Sequence, residues 1–295
     1  MWDPAQYSRF RDERSRPFFE LIARIRHLEP RRIVDLGCGT GSNTEVLSDL
    51  WPDAEIRGID HNEAMLERAK QIEKDKLTFS QGEIEQFVPS GEDLVLSNAA
   101  LHWIDEHESL ILKFAKGLPP GGTFAFQVPA NFDAPSHAIL RKLTQGSEWR
   151  HLLDDPKRHA YSRSAVEYAR MLLNHGFEVD AWETNYVQVL PGEDAVFEWM
   201  AGTTLRPIYA ALTDRQEERF SEQYRAQLRA AYPTGAAGTV YEFKRVFVVA
   251  RAPQTENGTL RAKARASEVV GVGWGDEEEV SAYGVPPPQS VVTRW

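Results

Sequence analysis

From about residue 31 to residue 251, short apolar runs alternate with stretches in which apolar positions recur every three or four residues. Runs of five or six suit strands, and the longer spacing suits helices that bury one face. Strands are predicted over residues 32–36, 55–59, 77–81, 93–98 and 123–128, and helices over 43–51, 62–72 and 107–117. The last helix runs into Leu118-Pro-Pro-Gly-Gly122, a strong stop. Strands joined by crossover helices make an α/β, Rossmann-like, doubly wound and mostly parallel sheet, with ligands expected beyond the carboxyl ends of the strands. Past residue 130 a helix is predicted over 162–175 and strands over 178–190 and 241–252, bringing the sheet to seven strands. The helical pattern of residues 191–238 is too long for a loop and too short for a core of its own, so it reads as a helical cap inserted between the last two strands. Residues 1–252 are thus expected to form one domain. The remainder, 253–295, carries Gly271-Val-Gly-Trp-Gly275, Asp276-Glu-Glu-Glu279 and Pro286-Pro-Pro288 without any period, and is expected to be a disordered tail.

Composition narrows the partners. The 295 residues hold 34 Lys plus Arg against 44 Asp plus Glu, a formal charge of −10. Nucleic acid and anionic membrane are therefore not expected partners. The single cysteine, Cys38, allows no internal disulfide and no cysteine-based zinc cluster. The first sixteen residues are charged where a signal peptide needs an apolar run, and no apolar stretch reaches the roughly 18 residues of a membrane span. A soluble, cytoplasmic protein is expected. His102 and His107 lie five apart with no carboxylate set beside them, so no metal site is expected.

The most specific signal is Ile33-Val-Asp-Leu-Gly-Cys-Gly-Thr-Gly41, an apolar strand entering a turn with Gly37, Gly39 and Gly41 and then a helix. Glycine there opens the backbone and lets it approach a ligand with no Cβ in the way. Asp60 ends the second predicted strand, where a carboxylate can accept both hydroxyls of a ribose; capping the following helix is its plainer alternative. Cys38 reads as a small buried filler. Together the turn and Asp60 point to an adenosine-bearing cofactor. A dinucleotide site would ask for Gly-x-Gly-x-x-Gly, which this turn does not have.

The arrangement Asp35-Leu36-Gly37-Cys38-Gly39-Thr40-Gly41 resembles the first motif of the class I S-adenosylmethionine-dependent methyltransferases. That resemblance implies S-adenosyl-L-methionine as cofactor, held by Asp35, Gly37, Gly39, Gly41 and Asp60. Gly82-Glu83-Ile84 stands where those enzymes keep a polar side chain near the adenine, with Glu83 in place of the commoner Asp. Asp93-Leu-Val-Leu-Ser-Asn98 closes the fourth strand in the same way. Glu83, Ile84 and Asn98 are therefore implied as further cofactor contacts.

Outside these core motifs, Trp2-Asp-Pro-x-x-Tyr7, Glu13-Arg-Ser-Arg-Pro17, Leu101-His-Trp103, Gln127-Val-Pro-x-Asn131, Gly202-Thr-Thr-Leu-Arg-Pro207 and Phe243-Lys-Arg-Val-Phe247 are similar to the trans-aconitate 2-methyltransferase family. The similarity implies methyl transfer to one carboxylate of trans-aconitate, giving the monomethyl ester and S-adenosylhomocysteine. A polycarboxylate approaching so acidic a chain needs cations gathered locally. Residues 1–32 hold eight Arg against five acids, a local +3. Arginine's planar fork suits a carboxylate. The similarity selects Arg16, Arg206 and Arg245 as the substrate clamp, with Arg14 and Lys244 as outer candidates; each taken alone reads more readily as a solvated surface charge paired with neighbouring acids. The Arg residues are expected on the non-reacting carboxylates, and His102, Trp103, Gln127 and Tyr209 around the reacting end of the substrate.

A carboxylate is already ionised at pH 7, so its methylation needs no general base. His102 is then a hydrogen-bonding group, or a structural histidine beside Trp103. Two alternatives remain on the sequence: a methyltransferase for another small hydroxyl or amine acceptor with His102 as base, and a cofactor-binding protein without chemistry.

Overall fold

The computed structural model describes residues 11–153 and 161–254. The tail from residue 255 on, expected to be disordered, lies outside the described residues. The order of elements is α1 (Arg11–Ile25), β1 (Arg32–Leu36), α2 (Ser42–Leu50), β2 (Glu55–Asp60), α3 (Glu63–Ala69), β3 (Leu77–Gln81), β4 (Leu94–Asn98), α4 (His107–Gly117), β5 (Thr123–Pro129), α5 (Pro135–Thr144), α6 (Arg150–Leu153), α7 (Ala165–Leu173), β6 (Glu178–Leu190), α8 (Ala195–Ala201), α9 (Arg206–Tyr209), α10 (Asp214–Ala231), β7 (Thr234–Gly235) and β8 (Gly238–Arg251). The sheet runs β3-β2-β1-β4-β5-β8-β6, seven strands as expected, and the two-residue β7 adds an eighth by pairing with β8.

Strands β1 to β5 are parallel, and β8 runs antiparallel to both β5 and β6. Their apolar runs are continuous because both faces are covered. Ile33 belongs to a buried cluster that takes in residues of α1, α2, α3 and the helices after β6, and its neighbour Val34 to a second cluster that holds Phe114 of α4 and Tyr168 of α7. Local signals set the helix ends: Asn62 caps α3 by accepting the Met65 N–H, and capping boxes start α7 (Ser164, Glu167) and α10 (Thr213, Gln216). Asp60 is therefore not the cap of α3.

Two features shape the carboxyl edge of the sheet. The pairing of β5 with β8 ends at Pro129 and Arg245, but β6 and β8 stay paired as far as Leu190 and Thr239, so this hairpin projects beyond the parallel strands. Helices α8–α10 join its two strands and fold back, Trp199 packing on Tyr241 and Phe243. Their apolar residues merge with the main core rather than forming a separate one. The second feature is α1, which the apolar pattern did not predict. Its Phe18, Leu21 and Ile25 are fully buried. Its Glu20 accepts hydrogen bonds from Trp182 Nε1 (2.8 Å), Thr184 Oγ1 (2.5 Å) and the Tyr186 hydroxyl, all on β6. Burial works against the Glu20 charge, yet these three donors, with Arg16 nearby, hold its carboxyl below the usual range.

Candidate active site

The turn after β1 gives its three glycines different tasks. All adopt left-handed backbone, with φ of 79° at Gly37, 57° at Gly39 and 76° at Gly41. A Cβ on Gly37 would stand 2.3 Å from the Ala100 Cβ, and one on Gly41 would stand 2.6 Å from the Phe79 ring, so both are also demanded by packing. A Cβ on Gly39 would meet nothing within 4 Å. Gly39 is thus the position whose open face is free for a ligand.

Asp60 closes this cradle. Its Oδ2 accepts the Gly39 N–H at 2.8 Å and its Oδ1 accepts the Asn62 N–H at 2.9 Å. Each oxygen keeps acceptor capacity for a hydroxyl. Beneath the turn, Asp35 is buried and its Oδ2 accepts from the Thr44 hydroxyl at 2.7 Å, while its Oδ1 has no hydrogen-bond partner among the described residues. Burial pushes the Asp35 carboxyl up to about 6 against the Thr44 bond, with Asp60 adding to the rise. Cys38 is buried and its thiol is pushed up by burial, Asp35 and Asp60, which makes it an inert filler. Ile84 is buried against the turn, its Cδ1 3.5 Å from where a Gly37 Cβ would sit; Glu83 beside it is exposed. The open backbone at Gly39, the acceptors of Asp60 and the apolar Ile84 together fit an adenosine moiety.

A second group lies at the ends of β4, β5 and β8. Asn98 Oδ1 accepts from Gln127 Nε2 at 2.6 Å, and Gln127 Oε1 accepts from Arg245 Nη1 at 3.1 Å. Gln127 and Arg245 are buried, and the guanidinium also stands over the Phe243 ring at 4.4 Å. A chain of bonds thus runs from the tip of β4 across β5 to Arg245 on β8. His102 is buried one turn past β4, and its Nδ1 has no hydrogen-bond partner among the described residues. Burial, Arg245, His107 and His137 hold it well below the ordinary histidine range, so it is neutral. Trp103, ring-to-ring 4.7 Å from His102, is 47% exposed.

The remaining expected substrate residues are less closely gathered. Arg16 is exposed on α1, its guanidinium 5.0 Å above the Tyr186 ring, and Tyr186 in turn feels both Arg245 and Arg16. Lys244 pairs with Glu183 at 2.6 Å. In the helices after β6, Arg206 Nε donates to the Gly202 carbonyl at 3.0 Å, and the Tyr209 hydroxyl is bonded to Ser221 at 2.9 Å. Arg14 belongs to α1, and its side chain lies outside the described residues. The sequence reading missed Glu20, Tyr186 and Tyr241. Trp182, Thr184 and Tyr186 share one face of β6 opposite Phe247, Arg245 and Phe243, and inward polar residues in that period-two pattern were the available signal. Among the described residues no group of three or more His, Cys, Asp or Glu side chains is set to hold a metal, and no helix is long and apolar enough to cross a membrane.

A doubly wound sheet with this turn and an acceptor closing it defines a Rossmann-like methyltransferase, and the family model for a methyltransferase domain matches residues 7–181, more than half of the chain. The YcgJ protein of Bacillus subtilis has the same fold, with a TM-score of 0.53 at 16% identity over 80% of this chain and 100% of that one. The trans-aconitate 2-methyltransferase of Mycolicibacterium gilvum is 45% identical over 85% of this chain and 99% of its own length, and that of Streptomyces coelicolor is 46% identical over 86% and 87%. The chain belongs to the trans-aconitate 2-methyltransferase family.

Proposed function

We propose that this protein is an enzyme that transfers a methyl group from S-adenosylmethionine to a carboxylate of trans-aconitate, giving the monomethyl ester. The observation that carries the residue assignment is the chain of bonds from Asn98 through Gln127 to Arg245, a buried cation fixed at the carboxyl ends of β4 and β5. When bound, the cofactor supplies the electrophilic sulfonium methyl. Gly39 and Asp60 hold its adenosine end, with Ile84 against the base, Glu83 at its edge and Asp35 supporting the turn from below.

Arg245 is the principal clamp for a carboxylate that does not react. Gln127 holds its guanidinium in one orientation, so two parallel N–H groups can face the substrate. Arg16, Arg14 and Arg206 supply outer positive charge that draws an anion toward an acidic protein. The reacting carboxylate is best held loosely, because its charge is lost as the new bond forms. Neutral His102 hydrogen-bonds it without adding charge, and Trp103 shields it from water. No side chain has to remove a proton, since the attacking carboxylate is already ionised at neutral pH and has none to lose. A cytoplasmic location belongs to the same reading.

The test is mass spectrometry of the purified protein with S-adenosylmethionine and a panel of di- and tricarboxylic acids, hydroxyl compounds and amines. A monomethyl ester formed preferentially from trans-aconitate is the expected product. Methylation of a hydroxyl or amine instead would return His102 to the part of a base, and no turnover at all would leave a cofactor-binding protein.

A further inference from the structure

Glu20 takes no part in the scheme above, and a carboxylate beside a site for an anion calls for a reason. Its place follows from how α1 lies along β6. Asp180, Trp182, Thr184 and Tyr186 alternate along the strand and share one face. Arg16, Glu20 and Arg24 recur every four residues and line one side of the helix. Arg24 Nε pairs with Asp180 at 2.9 Å, and its guanidinium stands 4.7 Å from the centre of the Trp182 ring. Glu20 Oε1 accepts from Trp182 Nε1 at 2.8 Å and from Thr184 Oγ1 at 2.5 Å, and its Oε2 accepts from the Tyr186 hydroxyl. Arg16 stands over the ring of that same Tyr186 at 5.0 Å. Helix and strand are matched in order, running in opposite directions.

The strand register tells where this seam ends. Thr184 pairs with Arg245, and Arg245 with Pro129, the last residue of β5. Tyr186 and Phe243 form the next pair on the same face, beyond the end of β5. Arg245 stands over Phe243 at 4.4 Å as Arg16 stands over Tyr186. Side chains of a cross-strand pair are neighbours, so two guanidiniums ride on adjoining rings at the carboxyl edge of the sheet, where ligands are expected. Arg245 is buried and Arg16 is exposed, open to a dissolved ligand. An exposed contact between a cation and a ring is a weak hold. The charge-assisted bonds of Glu20, one turn further along the helix, are the strong one.

We propose that Glu20 is a positioning residue for the acceptor: by taking three hydrogen bonds from β6 it sets α1 so that Arg16 stands on Tyr186, next to Arg245, and meets a second carboxylate of the substrate. The inference rests on the function proposed above. Both oxygens of Glu20 are engaged toward β6, so it acts through Arg16. The sign of its effect is distinctive. A positioning Glu20 helps an anion to bind, whereas a negative charge that is merely nearby hinders it.

The test is a double-mutant cycle of Glu20→Gln and Arg16→Ala, with kcat and KM on trans-aconitate, calorimetric binding of S-adenosylhomocysteine and melting temperature measured for each protein. Glu20→Gln is expected to raise KM by about 3–10-fold, with kcat and S-adenosylhomocysteine affinity within about twofold of wild type. Arg16→Ala should raise KM to a similar extent, and adding Glu20→Gln to it should raise KM no further. A fall in KM in Glu20→Gln would mean that its charge only repels the acceptor, and an equal rise with and without Arg16 would make Glu20 structural. Either result overturns the proposal. Should Glu20→Gln melt too low to assay, Tyr186→Phe takes its place in the cycle, since it removes one donor to Glu20 and keeps the ring beneath Arg16. The same coupling to Arg16 is expected there, and additive losses overturn the proposal. If the wild type methylates no acid, the function reading fails by itself, and calorimetric binding of trans-aconitate to the S-adenosylhomocysteine complex carries the cycle. Coupled losses of binding then support the part given to Glu20; additive losses, or no binding by the wild type, overturn it.

Discussion

Arg245 on β8 donates to the side-chain oxygen of Gln127 on β5 at 3.1 Å, two residues whose strands run antiparallel and whose partners in register are Pro129 and Phe247. The bond is diagonal across the pair and lies where β5 stops and the hairpin of β6 and β8 goes on. Gln127 spends its other end on Asn98, at the tip of β4. A cation is thus buried with its guanidinium held by Gln127 and over the Phe243 ring, at the carboxyl ends of β4 and β5.

Arg245→Lys keeps the charge but not the fork, and cannot meet Gln127 and a carboxylate at once in the same plane. KM for trans-aconitate should rise by about 10–100-fold in Arg245→Lys and further in Arg245→Ala, the loss of one or two charge-assisted hydrogen bonds. Calorimetry with S-adenosylhomocysteine should give nearly unchanged affinity in both. A loss of cofactor affinity that matched the loss of substrate would move Arg245 out of the clamp.

The glycines of the turn should separate folding from binding. Gly37→Ala sets a Cβ 2.3 Å from Ala100, so the protein should lose stability outright. Gly39→Ala meets nothing in the protein and carries only the cost of a left-handed alanine, about 1 kcal/mol. It should fold with a slightly lowered melting point and fail to bind S-adenosylhomocysteine. Binding retained in Gly39→Ala would mean that the ligand does not approach the turn from its open side.

How far the sequence reached follows from where the contacts come from. The open turn closed by Asp60 was legible because Gly37, Gly39, Gly41 and Asp60 lie on consecutive elements, and a strand that must end in open backbone announces itself with glycine. The strands were legible to within a few residues because burial on both faces needs unbroken apolar runs. Glu20 was not legible: its partners Trp182, Thr184 and Tyr186 lie more than 160 residues away, and only the hairpin's register brings them to one face. Helix α5 went unread as well, since its buried face mixes Ser136, His137 and Thr144 with Leu140 in place of an apolar stripe.

Asp35 should cost the free protein stability at neutral pH. Its carboxyl is raised to about 6 in the folded state from an ordinary value of 3.8, so the folded state binds more protons between those limits and ionisation above them is disfavoured by folding. Asp35→Asn removes that penalty and keeps an oxygen for the Thr44 hydroxyl. The variant should therefore be more stable than wild type at pH 7.5 by on the order of 1–3 kcal/mol, with a higher melting temperature, and the gap should close as pH falls from 6 toward 3.8. Differential scanning calorimetry across that range reads the sign directly. A gap that widened toward acid would mean the Asp35 charge is stabilised by the fold.

His102 gives the sharpest separation between positioning and base catalysis. Burial with Arg245 nearby keeps the imidazole neutral through the physiological range, so a flat pH profile by itself would fit either part. Removing the nitrogen base discriminates. A general base contributes about 10²–10⁴-fold, whereas a hydrogen bond to an acceptor that is already ionised contributes about tenfold. His102→Gln retains a donor and an acceptor near the same place and cannot act as a base at neutral pH. Its kcat on trans-aconitate should stay within about tenfold of wild type in single-turnover measurements, with the larger change in KM. A loss of a thousandfold in kcat with substrate and cofactor affinity intact would require a proton to be removed in the reaction, and the acceptor would then be a hydroxyl or an amine.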